Sequence, residues 1–304
     1  MEQPSQAGAS QAPEAAPAGL VRSLIVLSRP THWVKNAFVF MPVPFALATG
    51  ASLEPWPFVL GLLGFSLANS AVYAFNDAYD AGRDRLHPKK RLRPVAAGHV
   101  SERAAKLWSL LLVLSGLGLA WASGRAGAVV ILAVYAVLNL FYCLGGKNVP
   151  LLDVFLLSSG FVLRVVLGCA LVDVLPSNWL LLCSSMLALF LAMGKRRADL
   201  VKGLDGKHRP SLSGYTTGFL DQAMGVTTAM TLMAYALYCL EASVLVPGRE
   251  FATLPFVIFG VFEYLRLAHV KEEGGSPTEL LLSDPVMFIC GLGWAAATVW
   301  SVRF

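Results

Sequence analysis

Nine stretches of this chain are apolar over close to the length needed to cross a bilayer, and nothing else in it restricts the fold as tightly. They run at about 37 to 53, 56 to 80, 107 to 123, 126 to 144, 151 to 172, 177 to 194, 220 to 240, 252 to 268 and 285 to 302. Only 14% of the 304 residues are charged, against about 25% in an average soluble domain. The apolar character is spread along the chain after residue 36, which points to many spans and not to one anchor on a soluble domain. The expected fold is an all-α integral membrane protein with nine transmembrane helices. Pro42 and Pro44 should kink the first span, and glycines such as Gly61, Gly64, Gly116, Gly118, Gly291 and Gly293 allow helices to approach closely.

Residues 1 to 20, rich in Ala, Pro, Gln and Ser, read as a disordered tail, leaving 21 to 304 as one transmembrane domain. Placing the N-terminus inside puts 20 of the 24 Lys and Arg on the inner connections and 3 on the outer ones, with Arg164 inside a span. That bias predicts a multi-pass protein of the cell (inner) membrane with a cytoplasmic N-terminus. The formal charge of +5 then records topology and anionic lipid, with no nucleic acid implied. The five cysteines sit singly in apolar runs and read as small buried residues, not as disulfides or metal ligands.

At the end of the second apolar stretch, Asn76-Asp77-Ala78-Tyr79-Asp80-Ala81-Gly82-Arg83-Asp84 spaces its carboxylates at i, i+3 and i+7. On a helix, Asp77, Asp80 and Asp84 share one stripe with the Asn76 amide. Adjacent carboxylates repel. A hard divalent cation removes that penalty, and Mg²⁺ commonly shares such oxygens with a substrate diphosphate. Asn76, Asp77 and Asp80 are therefore the expected metal ligands, with Asp84 completing the catalytic acids. The plainer alternative is a solvated helix end whose acids pair with Arg83, Arg85 or Lys89; four polar groups on one stripe of a membrane helix argue against it. A basic run from His87 to Arg93 follows, of the kind a polyphosphate or sugar phosphate needs. Asp84 precedes Arg93-Pro94, and Asp199 precedes Arg209-Pro210, by nearly the same interval, so the second and sixth spans with their loops echo each other. A duplication of that kind places a site between the halves.

The pattern NDxxDxxxD before a basic Arg-Pro loop, in a chain of nine spans, resembles the UbiA superfamily of intramembrane transferases over residues 28 to 302. The stretches 29 to 36, 89 to 98 and 194 to 200 are similar to its decaprenyl-phosphate phosphoribosyltransferase branch. The resemblance implies a UbiA-like bundle that uses Mg²⁺ to transfer 5-phosphoribose from phosphoribosyl diphosphate to a polyprenyl (decaprenyl) phosphate. The alternative is an aromatic prenyltransferase acting on a prenyl diphosphate. Typical UbiA prenyltransferases carry a second acidic motif after the sixth span, where this chain has Lys195, Arg196 and Arg197 with Asp199 as the one nearby acid. That local charge disfavours a second metal and favours a phosphate, which argues against the prenyl donor. A carrier for a phosphorylated lipid would keep the helices but has no need of the acid stripe.

Further residues join the expected substrate site. Lys35 and Asn36 lie at the start of the first span, Arg83, Lys89 and Arg93 in the basic loop, and Arg209 before the seventh span, where it binds phosphate or, with Ser211 and Tyr215, caps the helix. Tyr142 and Lys147 are similar to residues of the family's donor pocket. Arg164 either pairs with an acid such as Asp153 or holds a phosphate. His87 and His208 read as solvent-facing loop residues. A homo-oligomer is compatible with all of this, and polyprenyl chain length is open.

Overall fold

The computed structural model describes residues 19–86, 90–206, 209–272, 274–275 and 277–302. Twelve α-helices follow in order: α1 (Leu20–Ser28), α2 (Val43–Ala48), α3 (Pro55–Tyr79), α4 (Ala81–Asp84), α5 (Glu102–Ala122), α6 (Ala126–Leu144), α7 (Leu152–Leu171), α8 (Asn178–Val201), α9 (Thr217–Glu241), α10 (Leu254–His269), α11 (Pro277–Ser283) and α12 (Pro285–Ser301). The expected tail falls almost wholly on residues outside this description, and α1 already begins at Leu20.

Among the described residues, six helices are long and apolar enough to cross a membrane: α3, α5, α6, α7, α8 and α9. The three remaining expected spans take other forms. The first is a 3-10 stretch, Pro30–Phe40, followed by the six-residue α2. Pro30, Pro42 and Pro44 remove backbone donors there, so one regular helix cannot run through the segment. Helices α10 and α12 have 16 and 17 residues, about 24 to 26 Å of rise, short of a hydrocarbon core of about 30 Å. Hydropathy alone counts apolar residues and is blind to these breaks.

Polar caps set several helix starts. Ser101 accepts from the Ala104 N–H, Ser177 from Leu180, Thr216 from Phe219, and Asp284 from both Val286 and Met287. Each satisfies amide groups that the helix itself leaves unpaired. The helices flanking each long polar loop pack together, α3 along α5 and α8 along α9. In each pair a polar loop joins the two helices, and both loops end on a Ser or Thr cap. One apolar core gathers Phe65, Leu132 and Leu167 from α3, α6 and α7. A second gathers Phe190, Leu220 and Tyr264 from α8, α9 and α10, and α7 joins it through Val154.

The α3–α5 crossing depends on two glycines. A Cβ on either Gly64 or Gly116 would lie 2.6 Å from the other's carbonyl oxygen, so no side chain fits between the backbones. Gly118, on the same helix, meets nothing within 4 Å. Gly116→Ala should therefore lower the thermal unfolding midpoint in detergent by the equivalent of about 1–3 kcal/mol. Gly118→Ala should leave it unchanged or raise it slightly through helix propensity. Equal effects at the two positions would show that the close crossing is absent.

Candidate active site

Helix α3 ends at Tyr79, and the Asp80 N–H closes its last turn on the Asn76 carbonyl at 2.9 Å. Helix α4 resumes after Asp80, so the expected stripe is bent at that residue and not carried on one continuous helix. The bend divides it into two clamps. Asn76 Oδ1 and Asp80 Oδ2 converge on Lys147 Nζ, at 3.0 and 2.5 Å. Asp77 and Asp84, 2% and 3% exposed, converge on Arg93 Nη1 at 3.0 and 2.7 Å. Arg29 completes the second clamp: one of its terminal nitrogens lies 2.6 and 2.7 Å from the two oxygens of Asp77.

These partners are not the local cations considered from the sequence. Arg83 is exposed on α4 and has no hydrogen bond or ion pair among the described residues. Arg85 reaches Glu102 at 3.3 Å on the surface. Lys89, His87 and His208 lie outside the described residues. Arg29 was not among the expected site residues, although a signal for it exists. The chain contains three Arg-Pro dipeptides, at 29–30, 93–94 and 209–210, and all three arginines arrive at this end of the bundle.

Among the described residues, no three His, Cys, Asp or Glu side chains gather to hold a metal alone. Mg²⁺ does not require such a cage, since it takes one or two carboxylates and completes its shell with water and substrate phosphate. Asn76, Asp77 and Asp80 offer hard oxygens only, and two of them already converge on one cation, the Lys147 ammonium. The donor set fits the ion.

The basic side divides into committed and uncommitted charges. Arg196 is fully buried, with Nε 2.6 Å from Asp153 and Nη1 3.0 Å from Asp199. It is an internal strut and does not stand open to a phosphate as expected. Arg197 is likewise engaged, with Asp221 at 2.5 Å and the Ala268 carbonyl at 2.7 Å. Arg164 pairs with neither Asp153 nor any other carboxylate among the described residues. Its Nε donates to Asn36 Oδ1 at 2.9 Å and its Nη1 to the Gly160 carbonyl, while the rings of Phe65, Tyr135 and Phe161 surround the guanidinium at 5.1 to 5.5 Å. Aromatic faces stabilise a desolvated cation and take the place of an acid here. Asn36 is consumed by the same network, because its amide nitrogen donates to Ser66.

Lys35 and Lys195 make no hydrogen bond or ion pair with a described residue, although Lys195 is near enough to Lys35, Arg196 and Arg209 to feel their charge. Burial pushes the Lys35 ammonium below the usual lysine range, helped by Arg164. His32 is pushed down to about 4 by burial first and then by Lys35 and Arg29, so it is neutral near pH 7. Arg209 stacks over the Tyr142 ring and donates to its hydroxyl. Ser211 and Tyr215 do not cap α9, which Thr216 does; both donate to Asp153. Beyond this polar end, an apolar cavity of about 310 Å³ lies between α8, α9, α10 and α12, with Phe38, Phe161, Trp179, Tyr264 and Trp294 in its wall.

A sequence model described as the UbiA prenyltransferase family matches residues 37–289. A decaprenyl-phosphate phosphoribosyltransferase of Corynebacterium glutamicum is 32% identical over 296 residues, covering 94% of this chain and 88% of that protein. One of Mycobacterium tuberculosis is 32% identical over 299 residues, covering 95% and 97%. Among solved structures, a UbiA homolog from Archaeoglobus fulgidus bound to DMAPP and Mg²⁺ superposes with a TM-score of 0.71. That match covers 91% of this chain and 99% of the other at 20% identity, and it shows a shared fold.

The division of the basic side has a direct consequence for stability. Arg196→Met removes the cation that is hydrogen-bonded to the buried Asp153 carboxylate, and breaking a buried pair from one side costs about 3–5 kcal/mol. Lys195→Met strands nothing. Thermal unfolding of the purified variants should show a large drop for the first and little change for the second; similar midpoints would mean that Arg196 is not a strut.

Proposed function

The chain belongs to the UbiA prenyltransferase family, and from that premise we propose that it transfers 5-phosphoribose from phosphoribosyl diphosphate to a polyprenyl (decaprenyl) phosphate. The products are polyprenylphosphoryl-5-phosphoribose and diphosphate. The observation that carries this reading is the charge asymmetry of the two halves. One half presents an acid stripe with hard-oxygen donors. The corresponding place in the other half is basic, and there Lys195 has no partner among the described residues. A donor with a diphosphate on C1 and a separate phosphate on C5 needs one metal-type site and one cationic site, whereas a prenyl diphosphate held between two metals needs acids on both sides. Likeness to phosphoribosyltransferases over nearly the whole chain supports the same donor.

In this scheme an oxygen of the lipid phosphate forms a bond to ribose C1 as the bond from C1 to the diphosphate oxygen breaks. Asn76, Asp77 and Asp80 would hold Mg²⁺, whose charge would there offset that of a departing diphosphate. Arg93, Arg29 and Lys147 hold the acids in place and add positive charge around the leaving group. Lys35, Lys195 and Arg209 receive the remaining phosphates. The acceptor phosphate is already ionised at neutral pH, so alignment and electrostatics suffice without a strong general base. The apolar cavity receives part of the lipid tail. We take the first apolar segment, α10 and α12 as further crossings, which makes nine, and place the polar end in the cytoplasm by its excess of Lys and Arg.

Two measurements test this reading. In inside-out membrane vesicles, labelled phosphoribosyl diphosphate added with polyprenyl phosphate should yield a lipid-linked phosphoribose by mass spectrometry, and sealed right-side-out vesicles should yield none. Product from a prenyl diphosphate and an aromatic acceptor instead would overturn the donor. Asp77→Asn should reduce turnover at saturating Mg²⁺ more than tenfold, a loss above about 1.4 kcal/mol of transition-state stabilisation, in a protein that still folds. Retention of most activity would remove Asp77 from the metal site.

A further inference from the structure

Arg209 is assigned a donor phosphate above, but the group that fixes where Arg209 stands has no task in that scheme. Asp153, in the first turn of α7, is fully buried. Its Oδ1 accepts from the Tyr215 hydroxyl at 2.5 Å, and its Oδ2 accepts from Arg196 Nε at 2.6 Å and Ser211 Oγ at 2.9 Å. The Tyr215 oxygen in turn accepts the Leu151 N–H at 2.6 Å, at a residue whose φ of 65° lies in the left-handed region. One carboxylate thus joins the start of α7, the end of α8 and the segment 209–215. That segment contains only a five-residue 3-10 turn, Pro210–Gly214. Such a turn is too short to keep a shape by its own hydrogen bonds.

The two arginines beside Asp153 are treated differently. Arg196 is hydrogen-bonded to Asp153 and Asp199 together, and only its Nη2 is left without a partner among the described residues. Arg209 Nε stays 3.8 Å from Asp153 Oδ2, at ion-pair distance but beyond hydrogen-bond reach, and is buried with no hydrogen-bond acceptor among the described residues. Its guanidinium instead faces Tyr142, on the side where Lys195 and Lys90 feel its charge. Because its Nε, and not its terminal nitrogens, faces the acid, the guanidinium keeps its terminal N–H groups on the Tyr142 side for an anion.

We propose that Asp153 is a positioning residue: by locking the segment 209–215 through Ser211 and Tyr215, it holds Arg209 against Tyr142 for the donor phosphate without touching substrate itself. The proposal rests on the reading of Arg209 as a donor contact. Arg196 serves as the counter-charge that lets a carboxylate sit in this place at all.

Asp153 itself is a poor site to mutate, because its loss leaves the fully buried Arg196 with Asp199 alone. The test therefore uses Ser211→Ala/Tyr215→Phe, which releases the segment and leaves the Asp153–Arg196 pair intact. The double variant should raise the KM for phosphoribosyl diphosphate about tenfold, with kcat and the KM for lipid phosphate within about twofold. Arg209→Ala should raise the donor KM similarly, and combining the three changes should add no further rise, since all act through one guanidinium. Independently of any substrate, hydrogen exchange in the double variant should speed up at 209–215 and stay unchanged in α5 and α6. Additive effects on KM, a fall in kcat at unchanged KM, or unchanged exchange at 209–215 would each overturn the proposal. Failure of the unmodified protein to use this donor would instead overturn the functional reading, and the role of Arg209 with it, even where the exchange result stands.

Discussion

Arg93 stands between Asp77 and Asp84, and the loop after α4 closes over the end of α3 because of it. Two carboxylates buried at the end of a membrane bundle cannot remain unpaired, since an isolated buried charge costs far more than any single contact returns. From 90 to 100 the loop has only a three-residue 3-10 turn, Lys90–Leu92, to hold it. The ion bridge pins its middle, while Val95 and Val100 tuck against Ala74, Ala78 and Ala81 just beside it. Small side chains on α3 and α4 let the loop come close enough for the arginine to reach both acids. Helix α1 is tied to the same place, through Arg29 on Asp77 and through the Trp108 indole donating to Ser28.

The second half solves the same problem with the signs exchanged. In the first half the long helix carries the acids and the loop returns an arginine. In the second, helix α8 carries Arg196, and the acid comes sideways from α7 as Asp153. The loop there returns two hydroxyls and an arginine that comes within ion-pair distance of the acid without a hydrogen bond to it. A shared helix–loop–helix plan therefore ends in two unlike surfaces, one able to share a cation with a ligand and one able to meet an anion directly. That difference needs only a few side chains at matched positions, which explains how a common bundle can serve donors of different charge distribution.

The long helices and the acid stripe were legible because each announces itself locally, by hydropathy or by spacing along a helix, whereas Lys147 was marked only by its similarity to a residue of the family's donor pocket. Partner identity was not legible. Arg29 meets Asp77 across 48 residues, and Arg164 meets Asn36 across 128. An arginine inside a span declares that something must compensate it, but helix phase decides whether that is a carboxylate or a box of three aromatic rings. Asp153 was weighed as the partner of Arg164, and packing assigns it to Arg196. The first apolar segment misled for a related reason, since its average hydropathy is that of a helix while its prolines forbid one.

Charge balance at the site links these elements to chemistry. Asp77, Asp80 and Asp84 are matched by Arg29, Arg93 and Lys147, so the stripe carries no surplus negative charge to draw in a bare divalent ion. Lys35 and Lys195 add positive charge nearby. On the proposed reading, the deficit is of anions, which the phosphates of the donor would make good, and Asn76, Asp77 and Asp80 would hold Mg²⁺ beside them. The cations that hold the acids apart from solvent are the ones best placed to follow the charge as it moves onto the leaving diphosphate.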